Sequence, residues 1–167
     1  MKIKKKYYTW SDVESMCVSI VNQMYADFYR PDYIVGITRG GNIPATIISN
    51  MTGIRCESIK VSLRDNETGK TGDSVDWMAD DAYGILDGKI VSGSPTGKKI
   101  LIVDDINDSG ATFQYILDNF GKHEERIKFA ALIHNKPSKV KVDYHGYEIN
   151  KEEVPAWIVF PWEEWDK

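Results

Sequence analysis

The apolar residues of this chain fall into two patterns, short unbroken runs and longer stretches with helical spacing. Unbroken runs occupy residues 33–37 and 100–103, which is typical of strands buried on both faces of a parallel sheet, and residues 127–134 are predicted as another strand. Alternation of apolar and polar residues predicts a further strand over residues 57–63. Long segments separate these strands, which favours an α/β domain.

Helical spacing of the apolar residues predicts two helices outside the strands. Over residues 13–28 it predicts a first amphipathic helix, with Ser11 and Glu14 at capping-box spacing and Pro31 ending the helix. A second helix is predicted over residues 43–51, because a proline lies near its first turn and apolar residues follow.

The alternation of strands and helices predicts an α/β fold with a mostly parallel, twisted sheet and helices on both faces. At 167 residues the chain is expected to form a single domain over 1–167. In such sheets ligands bind at the carboxyl ends of the strands, near the point where the strand order reverses. The candidate functional residues follow directly after predicted strands: Arg39, residues 104–112 and Lys136.

Three segments fall outside this alternation. Residues 1–6 are expected as a solvated end or an edge strand, and residues 141–149 as a short antiparallel edge piece. Residues 64–97 are rich in Gly, Asp, Ser and Thr and too long for a plain connection, so we expect a mobile lid there. Within the lid lie apolar residues that could dock on the domain: Trp77, Met78, Tyr83, Ile85 and Leu86.

Composition narrows the class of protein. The 42% apolar content and the mixed charges are typical of a globular domain, and the net charge of -4 argues against general affinity for nucleic acid or acidic membranes. No apolar run approaches the length that spans a bilayer, and no apolar segment of a secretory signal follows the N-terminal lysines. Cys17 and Cys56 lack metal-ligand spacing, which favours a reducing cytoplasm.

The strand over residues 100–103 is followed by two carboxylates and a polar turn. Asp104 and Asp105 come first, and residues 106–112 then form a turn of small and hydroxyl residues before a predicted helix over 113–120. Main-chain amides at the start of a helix suit a phosphate. Carboxylates beside a phosphate site require a ligand with vicinal hydroxyls next to its phosphate, as in a ribose 5-phosphate. An ordinary buried strand with a polar turn is the alternative.

A second anion site is predicted after the strand over residues 33–37. Thr38, Arg39, Gly40 and Gly41 form a glycine turn that leads into the second predicted helix, and Arg39 adds a fixed positive charge. The alternative is a tight strand-to-helix turn with a surface arginine.

The sequence 104–112, two acidic residues followed by Asp-Ser-Gly-Ala-Thr, resembles the ribose-phosphate signature of the type I phosphoribosyltransferases. The Thr-Arg-Gly-Gly turn at 38–41 fits the same family, in which the peptide before the first glycine is often cis. Lys136-Pro137, Trp157-Ile158 and Pro161-Trp162 extend the similarity toward the bacterial xanthine-guanine members. The resemblance covers nearly the whole chain.

This resemblance implies transfer of the phosphoribosyl group from phosphoribosyl pyrophosphate to a 6-oxopurine base (guanine, xanthine or hypoxanthine) with Mg²⁺. The expected products are the nucleoside monophosphate and pyrophosphate, as in purine salvage. It also implies a flexible lid at residues 64–97 and a small C-terminal base-binding hood at residues 135–167. A cytoplasmic homo-oligomer, dimer or tetramer, is expected, with neither nucleic acid nor a membrane as partner.

On the donor, the resemblance assigns Asp104 and Asp105 to the ribose hydroxyls and Mg²⁺, as catalytic carboxylates. Arg39 and the main chain of Gly40 and Gly41 are assigned to the pyrophosphate. The 5-phosphate is assigned to residues of the polar turn: Asn107, Ser109, Gly110, Ala111 and Thr112. Carboxylates near the ribose and cations near the leaving group match the charges that develop in an oxocarbenium-like transition state.

On the base, the resemblance assigns Asp108 to a proton of the purine imidazole, although Asp108 could instead cap the following helix. Lys136 is expected to donate a hydrogen bond to the 6-oxo group. Adenine has an amino group at this position, which is also a donor and could not accept that bond. Trp157 offers a flat apolar face for the ring, and the main chain from Ile158 onward is expected near position 2 of the base.

Three other functions are weighed against this one. A non-catalytic regulator on the same fold would bind nucleotide or phosphoribosyl pyrophosphate, and control of RNA or DNA would require a basic face. A transferase could act on another nitrogen base. A phosphoacceptor receiver domain also opens with a strand ending in two aspartates, but about a hundred residues precede Asp104 here and a phosphate turn follows.

Overall fold

The computed structural model describes residues 3–62, 74–77, 98–120 and 126–163. Over these residues the chain forms eight strands, three α-helices and a short 3₁₀ helix over Pro161–Glu163. The strands are β1 (Lys4–Tyr7), β2 (Tyr33–Thr38), β3 (Arg55–Ser62), β4 (Ser74–Trp77), β5 (Ile100–Asn107), β6 (Ile127–Asn135), β7 (Tyr144–Ile149) and β8 (Ala156–Val159). The helices are α1 (Trp10–Ala26), α2 (Asn42–Thr52) and α3 (Ala111–Phe120).

Six strands form the main sheet in the order β4-β3-β2-β5-β6-β7. All neighbours are parallel except β4, which pairs antiparallel with β3, so the predicted mostly parallel sheet is confirmed. From β2 the chain first moves to β3 on one side and later to β5 on the other. The strand order therefore reverses between β2 and β5, where a ligand crevice is expected.

The predicted helices on both faces are confirmed, since alternate residues of the central strands bury against different helices. One cluster joins α1 and α2 to the sheet through strand residues that include Ile34, Leu101 and Val103. The other joins α3 to the opposite face through Val35 and Ile102. Burial of each large aliphatic side chain contributes about 1.5–3 kcal/mol, so both faces hold the strands in place.

The first helix begins two residues before the predicted capping box. Thr9 is the N-cap: its Oγ1 accepts a hydrogen bond from the Asp12 main-chain N–H at 3.1 Å, and Asp12 Oδ2 accepts one from the Thr9 N–H at 2.8 Å. The predicted pair of Ser11 and Glu14 is therefore wrong, because Thr9 and Asp12 have the same spacing and occupy the cap.

The same helix ends before the proline that was predicted to end it. Asp27 is the C-cap of α1, and Phe28 follows with a φ of 52° and 96% of its surface exposed. A bulky residue in the left-handed region cannot continue a helix, so the chain turns here before it reaches Pro31.

Strand β7 runs parallel to β6, from Tyr144 opposite Ala130 to Ile149 opposite Asn135. The predicted antiparallel direction for residues 141–149 is therefore wrong. An extended connection over residues 136–143 can span about 26 Å, which is enough to return the chain to the start of β6 without a crossover helix.

The basic leader and the C-terminal segment form a second, small sheet. β1 pairs parallel with β8, with Lys4 opposite Ala156 and Tyr7 opposite Val159. Tyr8, Ile158 and Phe160 join this small sheet to the core that contains α1 and α2. The leader is thus an edge strand, one of the two alternatives expected for it.

The predicted lid over residues 64–97 lies outside the described residues, apart from β4, which pairs Trp77 with Ile59 of β3. In the parts of the chain that the structure describes, no helix is long and apolar enough to cross a membrane.

Replacing Thr9 with Ala is expected to lower the free energy of unfolding by about 1 kcal/mol, because the Asp12 amide loses its capping partner. Ser11→Ala is the matched control, since the Ser11 side chain is exposed and lies inside the helix. Urea unfolding followed by circular dichroism measures both. A larger loss for Ser11→Ala would contradict the observed start of α1.

Candidate active site

The crevice between β2 and β5 brings together two of the predicted anion-binding turns. The loop at residues 38–41 leaves β2 beside the carboxylates of β5. A Cβ atom on Gly40 would lie 1.9 Å from Asp105 Oδ2, and one on Gly41 would lie 2.4 Å from the Val103 carbonyl oxygen. Only glycine allows this close approach, so the two glycines set the distance between the loop and Asp105.

The loop at residues 38–41 is fixed by the first residue of α2. The Asn42 side chain donates to Thr38 Oγ1 at 3.2 Å and accepts a hydrogen bond from Ser58 Oγ at 2.9 Å. The Thr38–Arg39 peptide bond is cis, one peptide earlier than the bond before Gly40 that the family resemblance implies. Arg39 itself is exposed, so its guanidinium is open to an anion approaching this end of the sheet.

Asp104 and Asp105 are part of β5, which continues to Asn107 beyond the predicted strand end at residue 103. Asp104 Oδ1 accepts a hydrogen bond from the Asp105 N–H at 2.9 Å, and Asp105 Oδ1 accepts one from the Ile106 N–H at 2.8 Å. Burial, followed by the charge of Asp105, raises the pKa of Asp104 well above its usual value. Burial also raises the pKa of Asp105.

These two carboxylates fit a magnesium ion that arrives with its substrate. Mg²⁺ prefers oxygen ligands and commonly uses one or two carboxylates together with substrate phosphates and waters. Groups of three or more His, Cys, Asp or Glu side chains able to hold a metal do not occur among the described residues. These two adjacent carboxylates are poorly solvated. A cation bound between them and an anionic ligand would stabilise their negative charges.

The polar turn between β5 and α3 packs on the connection that follows β6. Gly110 has a φ of 85°, and a Cβ atom there would lie 2.6 Å from Ser138 Oγ. The Ser109 carbonyl accepts a hydrogen bond from the Lys139 N–H at 3.0 Å. Helix α3 begins at Ala111, so amides of its first turn are available to an anion in this turn.

Asn107 is buried, with 2% of its surface exposed. Its Nδ2 donates to the Val140 carbonyl at 2.7 Å and lies 3.1 Å from His134 Nδ1, while its Oδ1 accepts from Ser138 Oγ at 3.1 Å. Burial lowers the pKa of His134, which favours the neutral ring whose Nδ1 can accept this bond. The side chain of Asn107 therefore anchors the turn, and a phosphate contact of this residue is left to its main chain.

A cavity of about 380 Å³ opens on this turn, a volume within the usual range for small-molecule sites. Residues 104–113 form one wall. The other wall is formed by residues that follow β7, up to the end of the 3₁₀ helix: Lys151, Trp157, Ile158, Phe160 and Glu163. Carboxylates, a phosphate-type turn and an exposed tryptophan thus face one space.

The phosphoribosyl transferase domain family matches residues 5–166 of this sequence. The chain belongs to that family. Among similar proteins, xanthine phosphoribosyltransferase 1 of Saccharomyces cerevisiae is 26% identical over 96% of this chain and 90% of its own length. The xanthine-guanine phosphoribosyltransferase of Cereibacter sphaeroides is 30% identical over 78% of this chain and 68% of its own.

Solved structures agree with this assignment. The crystal structure of a purine phosphoribosyltransferase from Pyrococcus horikoshii has a TM-score of 0.71 and 28% sequence identity, over 99% of this chain and 97% of that one. The resemblance to the type I phosphoribosyltransferases and the fold expected from it are therefore confirmed.

The turn after β6 in this phosphoribosyltransferase contacts the polar turn through Asn135 and Ser138, whereas Lys136 in the same turn pairs with Glu148. Lys136 follows β6 and has a side chain that is 58% exposed, with its Nζ 3.2 Å from Glu148 Oε1. The hydrogen bond from Lys136 lowers the pKa of Glu148. Lys136 is not among the described residues that line the cavity. Its contact with the 6-oxo group stays a prediction.

Instead, Lys151 occupies the cavity wall beside Asp108. Lys151 Nζ lies 2.6 Å from Asp108 Oδ2, and the lysine side chain is 22% exposed. No motif in the sequence singled out Lys151, because it follows a strand whose direction was predicted incorrectly. Phe160 also lines this cavity, and it is buried.

Replacing Gly40 with Ala is expected to weaken binding of magnesium phosphoribosyl pyrophosphate at least tenfold, because the added methyl group collides with Asp105 and one of the two must move. Isothermal titration calorimetry measures the affinity. Gly53→Ala is the matched control: Gly53 has a φ of 70° and open space around it, so alanine should cost about 1 kcal/mol of stability and leave binding intact. Equal affinities for both variants would contradict the proximity of the loop to the substrate.

Proposed function

We propose that this phosphoribosyltransferase transfers the phosphoribosyl group of phosphoribosyl pyrophosphate to guanine, xanthine or hypoxanthine in purine salvage. The observation that carries the proposal is the meeting of a carboxylate pair, a glycine turn and a phosphate-type turn at the point where the strand order reverses. The names of the similar yeast and bacterial proteins support a purine base as acceptor.

The proposed donor site separates the charges that the reaction develops. Arg39 and the loop amides of Gly40 and Gly41 would hold the pyrophosphate, while Asp104 and Asp105 would bind the ribose hydroxyls and the magnesium ion. Magnesium, when bound, would neutralise charge on the pyrophosphate. Positive charge on the ribose ring would then face carboxylates, which supports the transition state more strongly than the ground state.

In the proposed step, the bond between the anomeric carbon and the pyrophosphate oxygen breaks, and pyrophosphate leaves with the electron pair. The bond from N9 of the purine to that carbon forms, and the N7 proton passes to the Asp108 carboxylate. Asn135 supports this role by holding Asp108, since its Nδ2 donates to Asp108 Oδ1 at 3.1 Å and to the Asp108 carbonyl at 3.2 Å. Ser109, Gly110, Ala111 and Thr112 would hold the 5-phosphate.

The proposed acceptor site lies under the segment that carries β8. Trp157 is 62% exposed and lines the cavity, so its ring is open for stacking on a purine. Ile158 beside it is buried and lines the same space. The hood over residues 135–167, the cytoplasmic location and the homo-oligomer stay predictions.

Replacing both Asp104 and Asp105 with Asn is expected to remove magnesium-dependent binding of phosphoribosyl pyrophosphate and to stabilise the ligand-free protein. Burial raises both pKa values above those of the unfolded chain, so ionisation costs folding free energy as the pH rises. The double variant should therefore melt at a higher temperature than the wild type at pH 7, and at the same temperature below about pH 4, where the carboxyl groups of both states are protonated.

Calorimetry with the donor and thermal melts at pH 4 and pH 7 measure these two effects. Asp118→Asn is the matched control, because Asp118 is exposed on α3 and bonds only to Gln114 in the described structure. Undiminished donor binding by the double variant would contradict the assignment of the carboxylates.

The acceptor is tested by incubating the protein with phosphoribosyl pyrophosphate, Mg²⁺ and one of five bases: guanine, xanthine, hypoxanthine, adenine or orotate. Nucleotide and pyrophosphate are expected in equal amounts with one or more 6-oxopurines. Exclusive use of adenine or orotate would refute the 6-oxopurine assignment. No product with any base would favour a non-catalytic regulator.

A further inference from the structure

A chain of buried polar groups joins the polar turn after β5 to the connection that follows β6. Asn107 is the last residue of β5, and His134 of β6 lies opposite it in the sheet. The Asn107 side chain also contacts Ser138 and Val140 of the connection. The side chains of Asn107, His134 and Ser138 are all buried. Water therefore cannot easily replace a partner that one of them loses.

The orientation of the Asn107 amide is set by a group that can only accept. The Val140 carbonyl lies 2.7 Å from Asn107 Nδ2, so the nitrogen of the amide must face it. The oxygen of the amide then accepts from Ser138 Oγ at 3.1 Å, and the second N–H of Nδ2 is left for His134 Nδ1 at 3.1 Å. His134 Nδ1 is therefore the acceptor of this pair, which requires a ring with no proton on Nδ1.

Protonation of His134 disrupts this arrangement. A ring with protons on both nitrogens places an N–H against the Asn107 amide nitrogen, so that two donors face each other. Rotating the Asn107 amide would offer an oxygen to that N–H. The rotation would also bring Oδ1 against the Val140 carbonyl oxygen with no proton between them. Each orientation leaves an unfavourable contact between buried polar groups, which is costly.

The same connection supports the turn at a second point. The Ser109 carbonyl accepts a hydrogen bond from the Lys139 N–H at 3.0 Å, and a Cβ atom on Gly110 would lie 2.6 Å from Ser138 Oγ. Ser138 thus bonds to Asn107 at the start of the turn and packs against Gly110 in its middle. A shift of the pair formed by Asn107 and Ser138 would displace the turn that precedes the first amides of α3, where a phosphate is expected.

The ionisable groups that act on His134 come from two of the described segments packed around it. His145 and Glu148 belong to β7, with the His145 ring centred 5.7 Å from the ring of His134, and Lys141 belongs to the connection after β6. From β5 the ring is faced by the uncharged Asn107. Burial lowers the pKa of His134 most, His145 and Lys141 lower it further, and Glu148 raises it. The ring is therefore neutral at pH 7 and gains its proton below the usual histidine pKa of about 6.5.

We propose that His134 is a positioning residue that acts through Asn107 and makes binding of the donor's 5-phosphate depend on pH. The inference rests on the proposed function, which assigns the polar turn to that phosphate. With a neutral ring the hydrogen bonds are complete and the turn is held in place. With a protonated ring they are not, and the affinity for the donor falls. Binding and protonation oppose each other, so the donor in turn favours the neutral ring.

The test measures the affinity for magnesium phosphoribosyl pyrophosphate by isothermal titration calorimetry between pH 8 and pH 5, in the wild type and in His134→Asn. The substituted side chain offers an oxygen near the position of Nδ1 and does not titrate. The phosphates of the donor and the carboxylates of the site titrate in both proteins, so the ratio of the two dissociation constants isolates His134. We expect a ratio near one at pH 8, and binding by the wild type about fivefold weaker than by the variant at pH 5.

Two further variants separate the hydrogen bond from the packing of the ring. His134→Leu fills similar space without an acceptor, so it should weaken donor binding at every pH, whereas His134→Asn restores binding. His145→Asn is the matched control for loss of a neighbouring histidine and should keep the fall in affinity at low pH. Loss of that fall in His145→Asn and not in His134→Asn would overturn the inference. A thermal melt shows that each variant is folded.

A second measurement needs no variant. The pKa of His134 in the wild type, followed through its imidazole resonances by NMR, should fall when magnesium phosphoribosyl pyrophosphate is added to saturation. An unchanged pKa, or the same pH dependence of affinity in the wild type and His134→Asn, would overturn the inference and leave the proposed function standing. If the wild type does not bind the donor at any pH, the proposed function fails first and this inference fails with it.

Discussion

The parallel pairing of β2 with β5 is the constraint on which the site depends. Tyr33 lies opposite Ile100 and Gly36 opposite Val103, so both strands end at the same edge of the sheet. The chain then leaves β2 through a glycine turn that a side chain at residue 40 would block. Placing that turn elsewhere would require a different register of the two strands, and register is fixed by apolar residues buried on both faces.

This geometry has an electrostatic cost that the rest of the fold offsets. Two adjacent carboxylates at the crevice are held partly out of water, which raises the pKa of Asp104 and of Asp105. The sheet tolerates this because a large apolar cluster packs against each of its faces. A site that is unfavourable without its cation and favourable with it is well suited to bind a magnesium complex.

Much of this architecture could be predicted from the sequence, because strands buried on both faces leave continuous apolar runs. The ends of helices were harder to predict where two capping signals compete. Thr9 and Ser11 each carry a hydroxyl with an acidic residue three positions later, and only the packing of α1 decides which of them is the N-cap. The extension of β5 to Asn107 was missed because buried polar residues pair there with the connection after β6, a contact that local sequence does not show.

The error in the direction of β7 and the omission of Lys151 have one cause. An antiparallel β7 would end at the opposite edge of the sheet and carry residue 151 away from Asp108. Because β7 is parallel to β6, its last residue, Ile149, lies opposite Asn135, and Lys151 follows within reach of the polar turn after β5. Strand direction depends on the path of the connection rather than on the pattern within the strand, so the presence of Lys151 in the cavity wall follows from a feature that periodicity cannot reveal.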